Sequence, residues 1–311
     1  MLSRRSVRIK VMQLLYMLNR DEQLTTTDLV QSYKDGIWKS FELYIFQLYV
    51  LLRVAQFAEK DAEIRAAKLL PSDEDKSFDP RLSKNDCTRS LANHVDFMGL
   101  VQKYKVNENI DEDHIRNLYQ AFADTPEYKN YLALEQPETA DHNKILLELY
   151  KFLSSNDLYS DMSEDRYNNW ADDESLVAGA MKKTLKALPV SGKFYEEHEP
   201  SDATVLEFGE ELLRKTCEED RTLFVEIEPT LRNWDAERVA ILDMVMLKMA
   251  LCELLYFPTI PTKVTINEFV EVSKIYSTEK SKEFINGILD RLMKELLEKG
   301  KIVKEGRGLI E

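Results

Sequence analysis

Glycine and proline are scarce in this chain of 311 residues, and each occurs nine times. Together they make up about half of the share that is usual in globular proteins, so few turn residues are available. A sandwich or barrel of many strands needs a turn after every short strand and is disfavoured on this ground. The sequence therefore predicts an all-α protein built from long helices.

Cysteine is also rare, and no motif for catalysis is present. The three cysteines, Cys87, Cys217 and Cys252, are odd in number and form no CxxC pair, which argues against a disulfide framework and a zinc ribbon. Two acidic clusters with one histidine each, 111–114 and 196–199, are interpreted as solvated faces, because adjacent residues of a helix do not share a face. Phosphate-binding glycine loops and HExxH are absent from the sequence. We expect no enzyme, no metal and no cofactor, in a protein of the reducing cytoplasm.

The net charge of −14 and the isoelectric point near 5.0 argue at first sight against a nucleic-acid partner. The charge is unevenly distributed, however. An N-terminal helical segment, 1–70, carries +3, an acidic helical insertion, 71–200, carries −11, and a C-terminal helical bundle with a basic tail, 201–311, carries −6. The first 20 residues contain five basic groups and no acidic one. These three segments are the predicted domains, and the first of them begins with a basic helix.

Apolar periodicity indicates helices in the N-terminal segment. Val7, Val11 and Leu15 lie on one stripe of a first helix, and further helices are predicted over 28–34 and 41–70. The aromatic stretch that opens the last of these is interpreted as core. It is too short for a membrane span, so no membrane partner is expected.

The C-terminal segment shows sharper patterns. A helix over 239–256 is apolar on most faces and is expected in the middle of a bundle. Thr265 and Glu268 fit a capping box at the start of the next helix, and Ser277 and Thr278 precede the last one. The glycine-rich tail after Gly300 is expected to fray.

Two segments together carry a resemblance to a known family. The first is Arg4-Arg5-Ser6-Val7-Arg8, followed by Gln13-Leu14-Leu15-Tyr16. The second begins at Trp234 and includes Val264-Thr265-Ile266-Asn267-Glu268 and Phe284-Ile285-Asn286-Gly287-Ile288-Leu289. In these elements the chain resembles the NusB family of transcription antitermination factors, over about residues 1–35 and 202–296.

The resemblance implies a fold, partners and site residues. The fold would be two small helical bundles, to which this chain adds its acidic insertion. The partners would be the single-stranded boxA RNA of ribosomal RNA leader transcripts, the small-subunit ribosomal protein NusE, and through them the RNA polymerase antitermination complex. By matching positions, the RNA-binding residues would be Arg4, Arg5, Arg8, Lys280, Lys282 and Phe284. Tyr16 and Asp243 would lie at the interface with the partner protein.

Less specific interpretations of the same residues stay open. An arginine-rich first turn is often only a solvated helix start, and Phe284 has the spacing of a core residue. The whole chain could also be a helical adaptor that binds proteins and no RNA, with its acidic segment as the docking surface.

Overall fold

The computed structural model describes residues 2–21, 23–108, 110–167, 170–231 and 239–309. Within these residues it contains α-helices and short helical turns and no strand, which confirms the all-α prediction. In chain order the helices are α1 (Arg4–Leu18), α2 (Thr26–Ala66), α3 (Asp73–Ser77), α4 (Arg81–Lys84), α5 (Asp86–Ala92), α6 (Val95–Lys103), α7 (Glu112–Ala123), α8 (Pro126–Leu132), α9 (Thr139–Ser154), α10 (Asp157–Glu164), α11 (Trp170–Lys186), α12 (Phe208–Glu218), α13 (Asp220–Ile227), α14 (Ile241–Tyr256), α15 (Thr262–Tyr276) and α16 (Glu279–Glu298). Trp234, which opens the second segment of the resemblance, lies outside the described residues.

The chain forms two compact units. One comprises residues 38–199, and the other comprises residues 2–37 and 200–311. The first boundary lies after residue 37, whereas the predicted segments divide after residue 70. The reason is that the aromatic second half of α2 packs with the acidic helices that follow it in sequence. For brevity we refer to the acidic unit (38–199) and the NusB-like unit (2–37 with 200–309).

Helix α2 is one continuous helix of 41 residues, so the prediction of two separate helices over 28–34 and 41–70 was wrong. No proline interrupts it, and Gly36 is its only glycine. By length and composition alone α2 could cross a membrane, but 83% of its most apolar window is buried inside the protein, which is typical of a core helix. Phe41, Tyr44 and Phe46 are buried in the acidic unit, as predicted for core aromatics.

In the NusB-like unit, α14 occupies the centre of the bundle, as its apolar sequence predicts. It contacts α1, α12, α13, α15 and α16, and its residues 249–254 are all buried. Helix α1 buries Val7, Val11 and Leu15 against this bundle, which confirms the predicted stripe. Helix α16 begins at Glu279, directly after Ser277 and Thr278, as predicted.

Two local predictions about this unit were wrong. Helix α15 begins at Thr262, three residues before the predicted cap, so Thr265 lies inside the helix and forms no capping box with Glu268. The described part of the tail after Gly300, residues 301–309, does not fray. It folds back so that Glu305 N donates to the Pro258 carbonyl over 2.9 Å.

Candidate nucleic-acid interface

Three arginines lie in the first turns of α1. Ser3 caps the helix, and its hydroxyl accepts a hydrogen bond from Ser6 N over 3.2 Å. Cations near a helix N-terminus are unfavourable, because the free N–H groups there carry partial positive charge. The arrangement therefore requires nearby carboxylates, and α14 and α15 supply them.

Arg8 is buried and forms a bidentate ion pair with Glu253 of α14. Its Nε and Nη2 each donate to the Glu253 carboxylate over 2.7 Å, and the exposed fractions of the two residues are 1% and 0%. Thr265 Oγ1 donates to the same carboxylate over 2.6 Å. The Arg8 guanidinium also lies over the rings of Phe208 and Phe269. This placement corrects the phosphate contact that the resemblance implies for Arg8, because its charge is compensated inside the bundle and is not presented to solvent.

Arg5 forms the second bidentate pair, with Glu268 of α15, but at the surface. Its Nε donates to Glu268 Oε2 over 2.9 Å and its Nη2 to Oε1 over 2.7 Å, while 42% of the Arg5 side chain stays exposed. The hydrogen bond to Glu268 raises the pKa of Arg5, and the charges of Glu268 and Glu271 raise it further, against desolvation. Arg5 is therefore within reach of a ligand and already holds a carboxylate.

Arg4 is the most accessible of the three arginines. It is exposed, and its guanidinium lies 5.2 Å from the centre of the Phe208 ring. No ion pair joins Arg4 to another of the described residues. An exposed arginine that is supported by an aromatic ring is suited to a phosphate group, since its planar fork matches two phosphate oxygens.

Arg4 and Arg5 line a shallow groove. The groove has a volume of about 360 Å³ and runs between the start of α1 and the start of α15. Its lining residues are Ser3, Arg4, Arg5, Arg8, Ile260, Pro261, Val264 and Glu268.

The other predicted RNA-binding residues lie at the start of α16. Lys280 and Lys282 are exposed, and Phe284 is half-buried. The buried stripe of this helix runs instead through Ile285, Ile288 and Leu289, so the spacing of Phe284 does not place it fully in the core. A half-buried aromatic ring is held in place and still offers an edge or a face to a ligand.

Electrostatics connect this helix start to the arginines. The pKa of Glu271 on α15 is lowered, first by a hydrogen bond from Lys274 and then also by the charges of Arg5 and Lys282. Arg5 and Lys282 both lie near enough to Glu271 for their charges to act on its carboxylate. Helix α15 contacts both α1 and α16, so the N-terminal arginines and the predicted residues of α16 lie on two helices that flank α15.

The two residues expected at the partner interface differ in exposure. Tyr16 is half-buried, and its hydroxyl accepts a hydrogen bond from Arg20 Nη2 over 3.1 Å. Asp243 is buried and accepts hydrogen bonds from Ser277 Oγ over 2.6 Å and from Ser281 Oγ over 2.7 Å. As placed here, Asp243 fixes the start of α16 and does not present its carboxylate to a partner, which corrects the surface position implied for it.

Sequence reasoning missed the carboxylates that organise this surface. Glu268 was interpreted as a capping residue, and its bond to Arg5 joins residues that are 263 positions apart. Glu253 did carry a signal, because a charge inside an apolar helix must find a partner. Its partner Arg8 could not be identified from spacing. Among the described residues, no group of three or more His, Cys, Asp or Glu side chains is arranged to hold a metal.

Comparison with known proteins identifies the family. The model of the NusB family matches residues 168–294, so the match begins inside the part that the resemblance left unmatched. The Transcription antitermination protein NusB of Geobacter sulfurreducens is 39% identical over 115 residues, which are 37% of this chain and 83% of that protein. The chain belongs to the NusB family.

Two further NusB proteins show how unevenly the similarity is distributed. The protein of Salinibacter ruber is 38% identical over 109 residues, 35% of this chain and 68% of its own length. That of Chloroherpeton thalassium is 47% identical over 79 residues, 25% of this chain and 37% of its own length. No solved structure gives a significant match. Since the three alignments cover 25% to 37% of this chain, most of its sequence does not align with these relatives.

Proposed function

We propose that this NusB-family protein is a transcription antitermination factor that binds the single-stranded boxA RNA of ribosomal RNA leader transcripts. It acts in the cytoplasm, together with NusE, in the RNA polymerase antitermination complex. The names of the relatives support the antitermination role. The RNA and NusE follow from the family resemblance.

The observation that carries RNA binding is the accessibility of the predicted residues on α1 and α16, the two helices that flank α15. Arg4 is exposed, Arg5 is half-exposed, Lys282 is exposed and Phe284 is half-buried. Cations neutralise phosphates, and an accessible aromatic ring stacks on an unpaired base. Arg8 takes no part in the proposed contact, because it is held by Glu253.

We propose that Tyr16 contacts the protein partner directly and that Asp243 supports the interface by holding the start of α16. Tyr16 has an exposed edge on α1, whereas Asp243 holds the serines at the start of α16. We therefore expect replacement of Tyr16 to weaken NusE binding directly, and replacement of Asp243 to act through the position of α16.

The test is binding of a boxA-like RNA and of a scrambled RNA, with and without NusE, over a series of salt concentrations. We expect a preference for boxA that increases when NusE is present. Phe284→Ala should weaken boxA binding by about 1–3 kcal/mol, the usual value of one stacked base. Leu297→Ala is the matched control, because Leu297 is an exposed apolar residue of the same helix, 47% accessible.

Absence of any preference for boxA over the scrambled RNA, even with NusE present, would overturn the RNA-binding proposal. Binding of NusE by a protein that binds neither RNA would favour the adaptor hypothesis. The acidic unit supports that alternative, since residues 38–199 contain 20 basic and 30 acidic groups and repel phosphate.

A further inference from the structure

The carboxylate of Glu268 occupies the edge of Arg5 that a phosphate group would use. Side-on binding through Nε and Nη2 is the bidentate geometry in which arginine recognises both carboxylates and phosphates. Glu268 holds this edge with two hydrogen bonds of 2.9 and 2.7 Å. Arg5 and Glu268 both line the groove beside Arg4.

We propose that Glu268 acts as an internal substitute for an RNA phosphate and keeps sequence-independent binding of RNA by Arg5 weak. This inference rests on the proposed RNA-binding function and names a residue that sets its strength. An incoming phosphate must either displace Glu268 from Arg5 or bind the remaining edge against the repulsion of the carboxylate.

The surroundings hold the Glu268 side chain close to Arg5. Its Oε2 also lies 3.7 Å from Nη1 of the buried Arg8, so a second cation holds the same carboxylate. The Glu268 side chain is 20% exposed, whereas that of Arg5 is 42% exposed. The carboxylate is therefore held by Arg8 as well as by Arg5, and Arg5 is the partner that is more accessible to a ligand.

The expected change in RNA affinity can be calculated from the repulsion between the Glu268 carboxylate and a phosphate bound to Arg5. A phosphate on the free edge of Arg5 would lie roughly 7 Å from the Glu268 carboxylate, where removal of one negative charge raises the affinity about threefold to sevenfold at effective dielectric constants of about 80 to 40. Glu268→Gln keeps the shape of the side chain and one acceptor oxygen, and it removes the charge. We expect this variant to bind both boxA RNA and the scrambled RNA more tightly by that factor, since phosphates are common to both.

The control is Glu271→Gln, on the same helix one turn further. Glu271 also acts on Arg5 through its charge, but its hydrogen bond comes from Lys274. If only the net charge of the surface matters, the two variants will gain equally, and the proposal fails. If Glu268 competes for Arg5, Glu268→Gln will gain more than Glu271→Gln.

The decisive measurement is a double-mutant cycle that combines Glu268→Gln with Arg5→Ala. The gain from Glu268→Gln should disappear when Arg5 is absent, while thermal unfolding shows that all variants remain folded. A gain that persists without Arg5, a loss of affinity in Glu268→Gln, or no binding of either RNA by that variant at low salt would overturn the inference. Equal binding of boxA and scrambled RNA would instead contradict the proposed function, and the cycle could still be completed on the scrambled RNA.

Discussion

The buried pair of Arg8 and Glu253 predicts a large and specific loss of stability. Arg8→Met keeps most of the side-chain volume and leaves the Glu253 carboxylate buried without its cation. Removing one partner of a buried ion pair costs about 3–5 kcal/mol. We expect the lower end of that range, because Thr265 still donates a hydrogen bond of 2.6 Å to the carboxylate and Lys304 lies close by. Burial lowers the pKa of Lys304, and the charge of Glu253 opposes that shift.

The assay is urea unfolding at neutral pH, followed by circular dichroism. A loss of about 3 kcal/mol would be a large fraction of the total stability of about 5–15 kcal/mol that is usual for a domain. The double variant Arg8→Met with Glu253→Leu should recover most of the loss, since a buried pair can be replaced by apolar side chains of similar volume at little cost. Arg4→Ala is the surface control and should change the free energy of unfolding by less than about 0.5 kcal/mol.

Two results would refute the argument. A loss below about 1 kcal/mol in Arg8→Met would mean that the pair is not buried as the structure has it. A double variant that is no more stable than Arg8→Met alone would mean that the stranded carboxylate is not the cause of the loss.

Three further predictions concern other parts of the molecule. Gly209→Ala should destabilise the protein by about 1–3 kcal/mol in the same assay, because an added Cβ would lie 1.8 Å from the Tyr33 hydroxyl, and a change below about 0.5 kcal/mol would contradict this packing. Burial lowers the pKa of His198 from 6.5 to about 4, so this histidine is protonated in the unfolded chain at a higher pH than in the folded protein. The free energy of unfolding of the acidic unit should therefore fall by about 2 kcal/mol between about pH 7 and pH 5, and His198→Gln should remove this pH dependence. Asp243→Ala should cost about 1–3 kcal/mol by removing the acceptor that the Ser277 and Ser281 hydroxyls share, and Asp243→Asn, which keeps an acceptor, should cost less.

Much of the fold could be predicted from local patterns. The stripe of Val7, Val11 and Leu15, the apolar α14 and the start of α16 after Thr278 all depend on residues that are close in sequence. The all-α class followed from the scarcity of turn residues. The division of α2 between two units could not be predicted, because an uninterrupted helix contains no signal for where its neighbours change.

The candidate site was harder to predict, because its geometry depends on long-range pairing. Whether an arginine in the first turn of α1 is exposed or buried depends on carboxylates that lie more than 240 positions away. The sequence showed three equivalent arginines, whereas the structure distinguishes an exposed Arg4, a paired Arg5 and a buried Arg8. The helical spacing of these residues could not reveal that difference.

That difference changes how strongly RNA binding should depend on salt. Three arginines that each contact one phosphate would contribute about 2 to the slope of log affinity against log salt, at ~0.7 per contact on a single strand. With Arg8 inside the bundle, removal of Arg4 and Arg5 together should flatten the slope by at most about 1.4. The Arg8→Met, Glu253→Leu double variant, which lacks the buried charges, should keep the slope of the unchanged protein. A slope that falls by a further 0.7 or so in that double variant would show that Arg8 reaches the RNA after all, and that binding opens the bundle at the start of α1.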